Sequence, residues 1–340
     1  MSWARWAVLA IGCGGNSGSP NATQPPEVPW LKGQLHAHSD RSGDSATPPA
    51  AVAAWYRAHG FDFLVLTDHN VVGGLAPSET PDGLIVLPGV ELTTNLETCA
   101  PPERDHPCLL HVNALGVDLA APRPRLPTGD PDRERVLAAE LELARSLGGI
   151  PHLNHPNFHY SASAPLIAKL SAGGPLLVEI ENQTSDSMNE GDADHPTTQV
   201  VWDRALALGA TIYGTATDDA HHYDDAERVR AGGEPAYTGD RGWVMVHANR
   251  DAAAIRAALA RGEFYASTGI VLDAIAIDDR ALTVRSGAPA TLRCITDGVA
   301  GAPEVGREIR CARTSGTVRV TVEADGRNAW VQPVRGIGGG

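Results

Sequence analysis

Two histidines separated by one residue, His36 and His38 in LHAHSDRSGD, open a series of ligand-type side chains that recurs along the chain. Further on come His69 in TDHN, Glu91 in GVEL, His111 in CLLHVN, His155 in LNHP, and Asp219 with His221 in TDDAHH. Imidazole and carboxylate donors together suit zinc, manganese or iron, and the scarcity of nearby thiols argues against a cysteine-rich structural zinc site. Any one of these residues alone reads as a hydrogen-bonded core group. Their repetition at the ends of separate apolar runs points to shared cations. Such a centre activates water, so it needs no serine or cysteine nucleophile, and no G-x-S-x-G motif occurs.

The elements that must position these residues follow from the punctuation. Residues i and i+2 of a strand share a face, so His36 and His38 converge while residue 37 faces away. The apolar runs ending in ligand types alternate with helical segments. Thr47-Pro48 opens one that Gly60 closes, Asp130-Pro131 opens one that Gly148 ends, and Pro196 and Gly209 bracket a third. Strands alternating with helices predict an α/β architecture with a mostly parallel sheet or barrel. In a parallel barrel all strand carboxyl ends lie at one rim, which would gather His69, Glu91, His111, His155, Asp219 and His221 beside His36 and His38.

Taken in order, LHAHSDRSGD, TDHN, GVEL, LNHP and TDDAHH resemble the motifs of the PHP (polymerase and histidinol phosphatase) family, over roughly residues 31–270. That resemblance implies a distorted seven-stranded (β/α) barrel with two or three divalent ions, zinc, manganese or iron. One ion would be held by His36, His38, Glu91 and Asp219, a second by Glu91, His111 and His155, and a third by Asp44, His69 and His221, with Glu91 bridging. Many family members carry histidine where Asp44 stands.

The implied activity is hydrolysis of a small phosphate or phosphonate ester by a hydroxide held between two ions. Glu91, Asp219, His155 and Asp68 are the residues expected to carry it. Asp68 reads as the partner of a ligand imidazole, and Asn154, His159 and Arg41 as groups near the substrate. The stretch EFYASTG leading into the tail resembles the branch grouped with carbaryl-type and phosphonate-ester hydrolases. There a carbamate or carboxylic ester is the rival substrate, and an inactive exported metal- or carbohydrate-binding lipoprotein is the other alternative.

Composition bounds the partners. The 340 residues carry a net charge of −14 and no run of lysine or arginine, so no nucleic-acid partner is expected. Residues 1–27 resemble a bacterial lipoprotein signal followed by a Gly/Ser/Pro linker, with Cys13 as the lipid anchor of an exported, envelope-bound protein. The other four cysteines form two locally spaced pairs, Cys99 with Cys108 and Cys294 with Cys311, the pattern expected of disulfides in an oxidising compartment. Residues 28–270 form the expected hydrolase barrel. From about 271 to 340, short β-patterned runs with turn signals predict a small antiparallel β domain.

Overall fold

Phe63–Leu66 is a strand (β2) of four apolar residues buried on both faces, the pattern of a strand flanked by parallel neighbours. The computed structural model describes residues 28–126, 129–314 and 316–336, so the leader and its Cys13 lie outside the described residues. On one side of β2 runs β1 (Trp30–Gln34) and on the other β3 (Ile85–Leu96), both parallel to it. The row continues through β4 (Cys108–Leu115), β5 (Ile150–Leu153), β6 (Leu176–Asn182) and β7 (Ile212–Thr217).

This row is less parallel than the sequence pattern predicts. β3 pairs with β2 over Ile85–Pro88, then continues antiparallel to β4 over Gly89–Leu96, and β4 is antiparallel to β5 as well. The cause lies in residues 97–107, which are polar, rich in proline and too short for the helical crossover that a parallel return requires. They form a loop closed by a disulfide between Cys99 and Cys108, with Cα atoms 5.5 Å apart. β5, β6 and β7 are again parallel.

Beyond β1, His36 to His38 stay extended. The His38 N–H donates to the Ala220 carbonyl, the Asp219 N–H to the His36 carbonyl, and the Thr67 N–H to the Ala37 carbonyl. An isolated parallel bridge between Ala37 and Ala220 thus joins the segments that follow β1 and β7.

The predicted helices form where their caps stand. α1 (Pro49–Ala58) begins after Pro48 and buries Val52, Ala53 and Tyr56. α2 (Arg133–Ser146) starts two residues later than the Asp130-Pro131 signal, because Asp132 is the cap and accepts a hydrogen bond from the Arg135 N–H at 2.9 Å. The short α3 (Ala164–Leu170) precedes β6, and α4 (Thr198–Ala207), capped by Thr197, precedes β7. Trp202 on α4 is fully buried against the strands, a burial worth roughly 2–3 kcal/mol. After the short α5 (Ala226–Ala231) come β8 (Trp243–His247), α6 (Ala252–Arg261) and β9 (Phe264–Ser267).

The C-terminal strands β10 (Leu272–Ile277), β11 (Ala281–Thr296), β12 (Val299–Ala300), β13 (Glu304–Ala312), β14 (Thr317–Ala324), β15 (Arg327–Val331) and β16 (Val334–Arg335) are antiparallel, as expected. They continue the same hydrogen-bonded path through β15, β9 and β8 to β1. A second disulfide, Cys294 with Cys311, ties β11 to β13 with Cα atoms 5.7 Å apart. Leu31, Phe63, Val65, Leu87, Leu115 and Leu177 pack with α6 residues Ile255 and Leu259 into a closed apolar floor. His36 and His38 follow β1, His69 follows β2, His155 follows β5, and Asp219 and His221 follow β7.

Candidate metal centre

Ala37 packs with Val52, Ala53 and Tyr56 of α1, so the alternation of the extended segment sends His36 and His38 to the other face. There they meet Glu91. This carboxylate sits within β3, which runs past it instead of ending there, and it is 1% exposed. Its oxygens lie 3.5 Å from His36 Nε2, 3.5 Å from His38 Nε2, 2.7 Å from His69 Nδ1, 3.1 Å from His111 Nδ1 and 3.7 Å from His155 Nε2. Asp219 Oδ1 is 3.2 Å from His36 Nε2 and 3.1 Å from His38 Nε2. Asp219 is held in the left-handed region at φ 50, a conformation that aspartate tolerates better than most residues.

His111 comes from the antiparallel strand, and this explains why it does not end an apolar run. It lies toward the start of β4, which is the end nearest the carboxyl termini of the neighbouring parallel strands. Asp44 and His221 complete the mouth. Asp44 Oδ2 is 3.0 Å from His69 Nε2 and 3.3 Å from His221 Nε2. All nine ligand-type residues therefore converge. Three groups have donor atoms close enough to share a cation: His36, His38 and Glu91; Glu91, His111 and His155; and His38, Asp44, His69 and His221. His38 thus belongs to two groups, beyond the division that the family motifs imply.

Four of the six imidazoles are aimed by their other side. His36 Nδ1 meets Glu179 Oε1 at 2.7 Å, His38 Nδ1 meets Ser42 Oγ at 2.7 Å, His111 Nε2 meets Asn95 Oδ1 at 2.8 Å, and His221 Nδ1 meets the Asp219 carbonyl at 2.9 Å. In each case an acceptor stands at the outward nitrogen, so in the neutral ring the inward nitrogen keeps its lone pair. His36 Nε2 and His38 Nε2 are fully buried and have no hydrogen-bond partner. His111 Nδ1 and His155 Nε2 face each other at 3.3 Å. Buried, unpartnered lone pairs converging on carboxylates cost free energy unless a cation occupies the space, so the residues present fit divalent ions.

Without an ion, the carboxylates and imidazoles of the cluster neutralise one another. Burial alone would push the Glu91 carboxyl up, but the imidazoles of His69, His36 and His111 hold it well below its usual range. Burial lowers His69 as well, yet Glu91 and Asp44 hold it up at about 10. His38 goes the other way, to about 3, through burial and the neighbouring His221 and His69 rings. Its ring stacks on that of His221, with centroids 4.1 Å apart.

Asp68 does not meet a ligand imidazole directly, contrary to expectation. Its carboxylate accepts hydrogen bonds from the Ser39 N–H and hydroxyl and from the Ser42 hydroxyl, so it reaches His38 only through Ser42. Asn154 touches Glu91 Oε1 at 2.8 Å, Arg41 bonds the Gly74 carbonyl, and His159 lies 3.1 Å from His106. The residue that motif reading passes over is Glu179 of β6. It is fully buried and accepts from the His155 N–H, the Asn182 amide and the Thr217 hydroxyl besides His36. Its one sequence signal is a carboxylate in the middle of the apolar run LLVEIEN.

No known family model matches the chain, and no curated protein matches it. Among solved structures it is similar to an amidohydrolase from Chromobacterium violaceum with bound sulfate and no metal. The identity there is 19% and the TM-score 0.36, over 56% of this chain and 87% of that one. It is also similar to a protein of Bifidobacterium adolescentis assigned as a metal-dependent phosphoesterase, at 14% identity and TM-score 0.39, over 58% of this chain and 90% of that one. At these values the site has to be judged on its own donors.

Proposed function

We propose that the chain is a metal-dependent hydrolase whose substrate is a small phosphate or phosphonate ester. The observation that carries this reading is the buried Glu91 carboxylate within 3.7 Å of five imidazoles, most of them oriented by a second partner. Two or three divalent ions bound there supply Lewis acidity and a water nucleophile at neutral pH. Glu91 bridges two of the ligand groups, Asp219 and His155 complete the inner ones, and half-exposed Asp44 closes the outer one with His69 and His221. The cations make a local positive well in an otherwise acidic protein, which favours an anionic ester.

The strands β1 to β7 are read as the distorted seven-stranded barrel of the PHP family. The Ala37–Ala220 bridge supports closure of the ring. The two disulfides support folding in an oxidising compartment, in keeping with export. No described helix is long and apolar enough to cross a membrane.

Metal analysis combined with a substrate panel tests the reading. Phosphomonoester, phosphodiester, phosphonate ester and carbamate should be assayed as purified, after chelation, and after manganese or zinc is restored. Chelator-sensitive cleavage of a phosphorus ester is expected. Cleavage of the carbamate alone would move the protein to the rival substrate class, and metal binding without turnover would make it a binding protein.

A further inference from the structure

A second cavity of about 460 Å³ opens away from the nine ligand-type residues, between α3, α4 and the loop that precedes α4. Its volume is that of a small-molecule site, roughly 300–1,000 Å³. Ala164, Pro165, Val201 and Leu208 give it an apolar wall.

Into this cavity faces Arg133, the first residue of α2, which is only 8% exposed. Its one side-chain hydrogen bond among the described residues runs from Nη1 to the Tyr160 carbonyl at 3.1 Å, and its Nε is buried with no partner. Among the described residues no carboxylate lies within 4.0 Å of its guanidinium. Glu103 lines the same cavity, but its Oε1 lies 3.3 Å from His195 Nε2 and is engaged there. Glu103 offsets the buried guanidinium only from a distance, without an ion pair, and a buried charge left so incompletely paired is costly. The cavity offers the place from which a ligand would supply a counter-ion.

We propose that this cavity binds a small amphipathic carboxylate, whose head pairs with Arg133 while its apolar part lies against Ala164, Pro165, Val201 and Leu208. A single negative charge suits the site better than a doubly charged phosphate. The Nε and Nη2 donors can together pair with one carboxylate, and Glu103 in the same wall repels excess negative charge. Exposed Arg204, also in the lining, adds a second positive group that makes no ion pair among the described residues. The site does not depend on metal. It shares only the segment after His155 with the metal centre, through Asn157 and Tyr160.

Calorimetric titration of the full chain with phenylacetate, and with its uncharged isostere phenylacetamide, tests the proposal. Saturable binding of phenylacetate, at least tenfold tighter than that of the amide, is expected. It should persist after chelator treatment and fall at least tenfold in Arg133→Gln. Should that variant fail to fold, Ala207→Phe decides: it fills the cavity from an exposed helix position, leaves Arg133 in place, and should lower the affinity as much. Equal binding of acid and amide, no binding of either, or binding unchanged by Ala207→Phe would overturn the proposal. Binding abolished by chelator would place the carboxylate at the metal centre and would overturn it as well, without touching the hydrolase reading.

Discussion

His36 Nδ1 lies 2.7 Å from Glu179 Oε1, with both side chains completely buried. The contact sets the His36 tautomer: the proton is on Nδ1, and the Nε2 lone pair points toward Glu91 and Asp219. Without an ion, burial would lower the His36 imidazole, but Asp219, Glu179 and Glu91 together hold it well above its ordinary value, so a cation must displace the proton on Nε2 to use that lone pair. Glu179 also fixes the His155 backbone N–H at 2.6 Å, and through Asn182 it reaches Asp219 Oδ2. One carboxylate outside the ligand set therefore orients three members of it.

Glu179→Gln keeps the size and removes the charge, so it should weaken metal affinity by about 10–100-fold, as loss of an outer partner does elsewhere. Competition of the purified variant against a chromophoric chelator measures this apart from turnover. Wild-type affinity in the variant would show that the contact is only packing.

Glu140 of α2 is a different kind of buried carboxyl. Its Oε1 accepts one hydrogen bond, from the Thr94 hydroxyl at 2.6 Å, and its Oε2 has no partner. Burial pushes it well above the ordinary carboxyl value near 4.5. The sign follows: a raised acid contributes stability that is fully present below about 4.5 and is lost as pH rises through the folded value. Glu140→Gln cannot ionise and escapes that loss. Its melting temperature minus that of the wild type should therefore grow more positive from pH 4 to pH 8, by scanning calorimetry. A constant difference would mean that Glu140 does not change protonation on folding.

His69, Asp219 and His221 were legible in the sequence because they stand where an apolar run meets polar residues, as in FDFLVLTDHN and ATIYGTATDDAH, whereas Glu91 and His111 lie inside their strands. The helix limits were legible for a similar reason, since Pro48, Pro196 and Gly209 punctuate the backbone directly. The course of β3 was not. Its twelve residues change partner type at Gly89, and whether a strand runs parallel depends on the length of the following connection, not on its own side chains. Glu179 and Ser42 were hidden because a residue that orients a ligand needs only a contact in space. Glu179 is 143 positions from His36. Asp68 shows the converse: adjacency to His69 in sequence suggested a contact, but the Ser39 and Ser42 hydroxyls intervene.

The two disulfides close loops of different reach, with separations of 9 and 17 residues. Chain-entropy arithmetic gives roughly 3 kcal/mol for a loop of about 15 residues. A Cys294→Ala/Cys311→Ala double variant should accordingly lose about 3 kcal/mol in urea unfolding, with metal content unchanged, since β11 and β13 contribute no ligand. The Cys99→Ala/Cys108→Ala pair joins the ends of the loop leading into β4, where His111 stands, and should lower both stability and metal content. A metal loss of equal size in both variants would disconnect the first disulfide from the placement of His111.

Asp44 and Glu91 make the sharpest contrast within the centre. The Asp44 side chain is 46% exposed and meets only His69 and His221, whereas Glu91 is 1% exposed and meets five imidazoles. Asp44→Ala removes a rim carboxylate, so its effect on folding should stay within about 0.5 kcal/mol, as for most exposed positions. Its effect on metal should be confined to the outer group of His38, His69 and His221. Elemental analysis is then expected to show about one ion fewer per chain, with partial hydrolysis remaining if that ion orients substrate and none if it takes part in bond cleavage. Glu91→Gln removes the one anionic group common to the two inner clusters. It should cost more than one ion, and it should reduce hydrolysis by more than the roughly 10–100-fold typical of an outer partner. Full metal retention in Glu91→Gln would remove the bridging role. Equal losses in the two variants would mean that the outer group does not bind its ion independently.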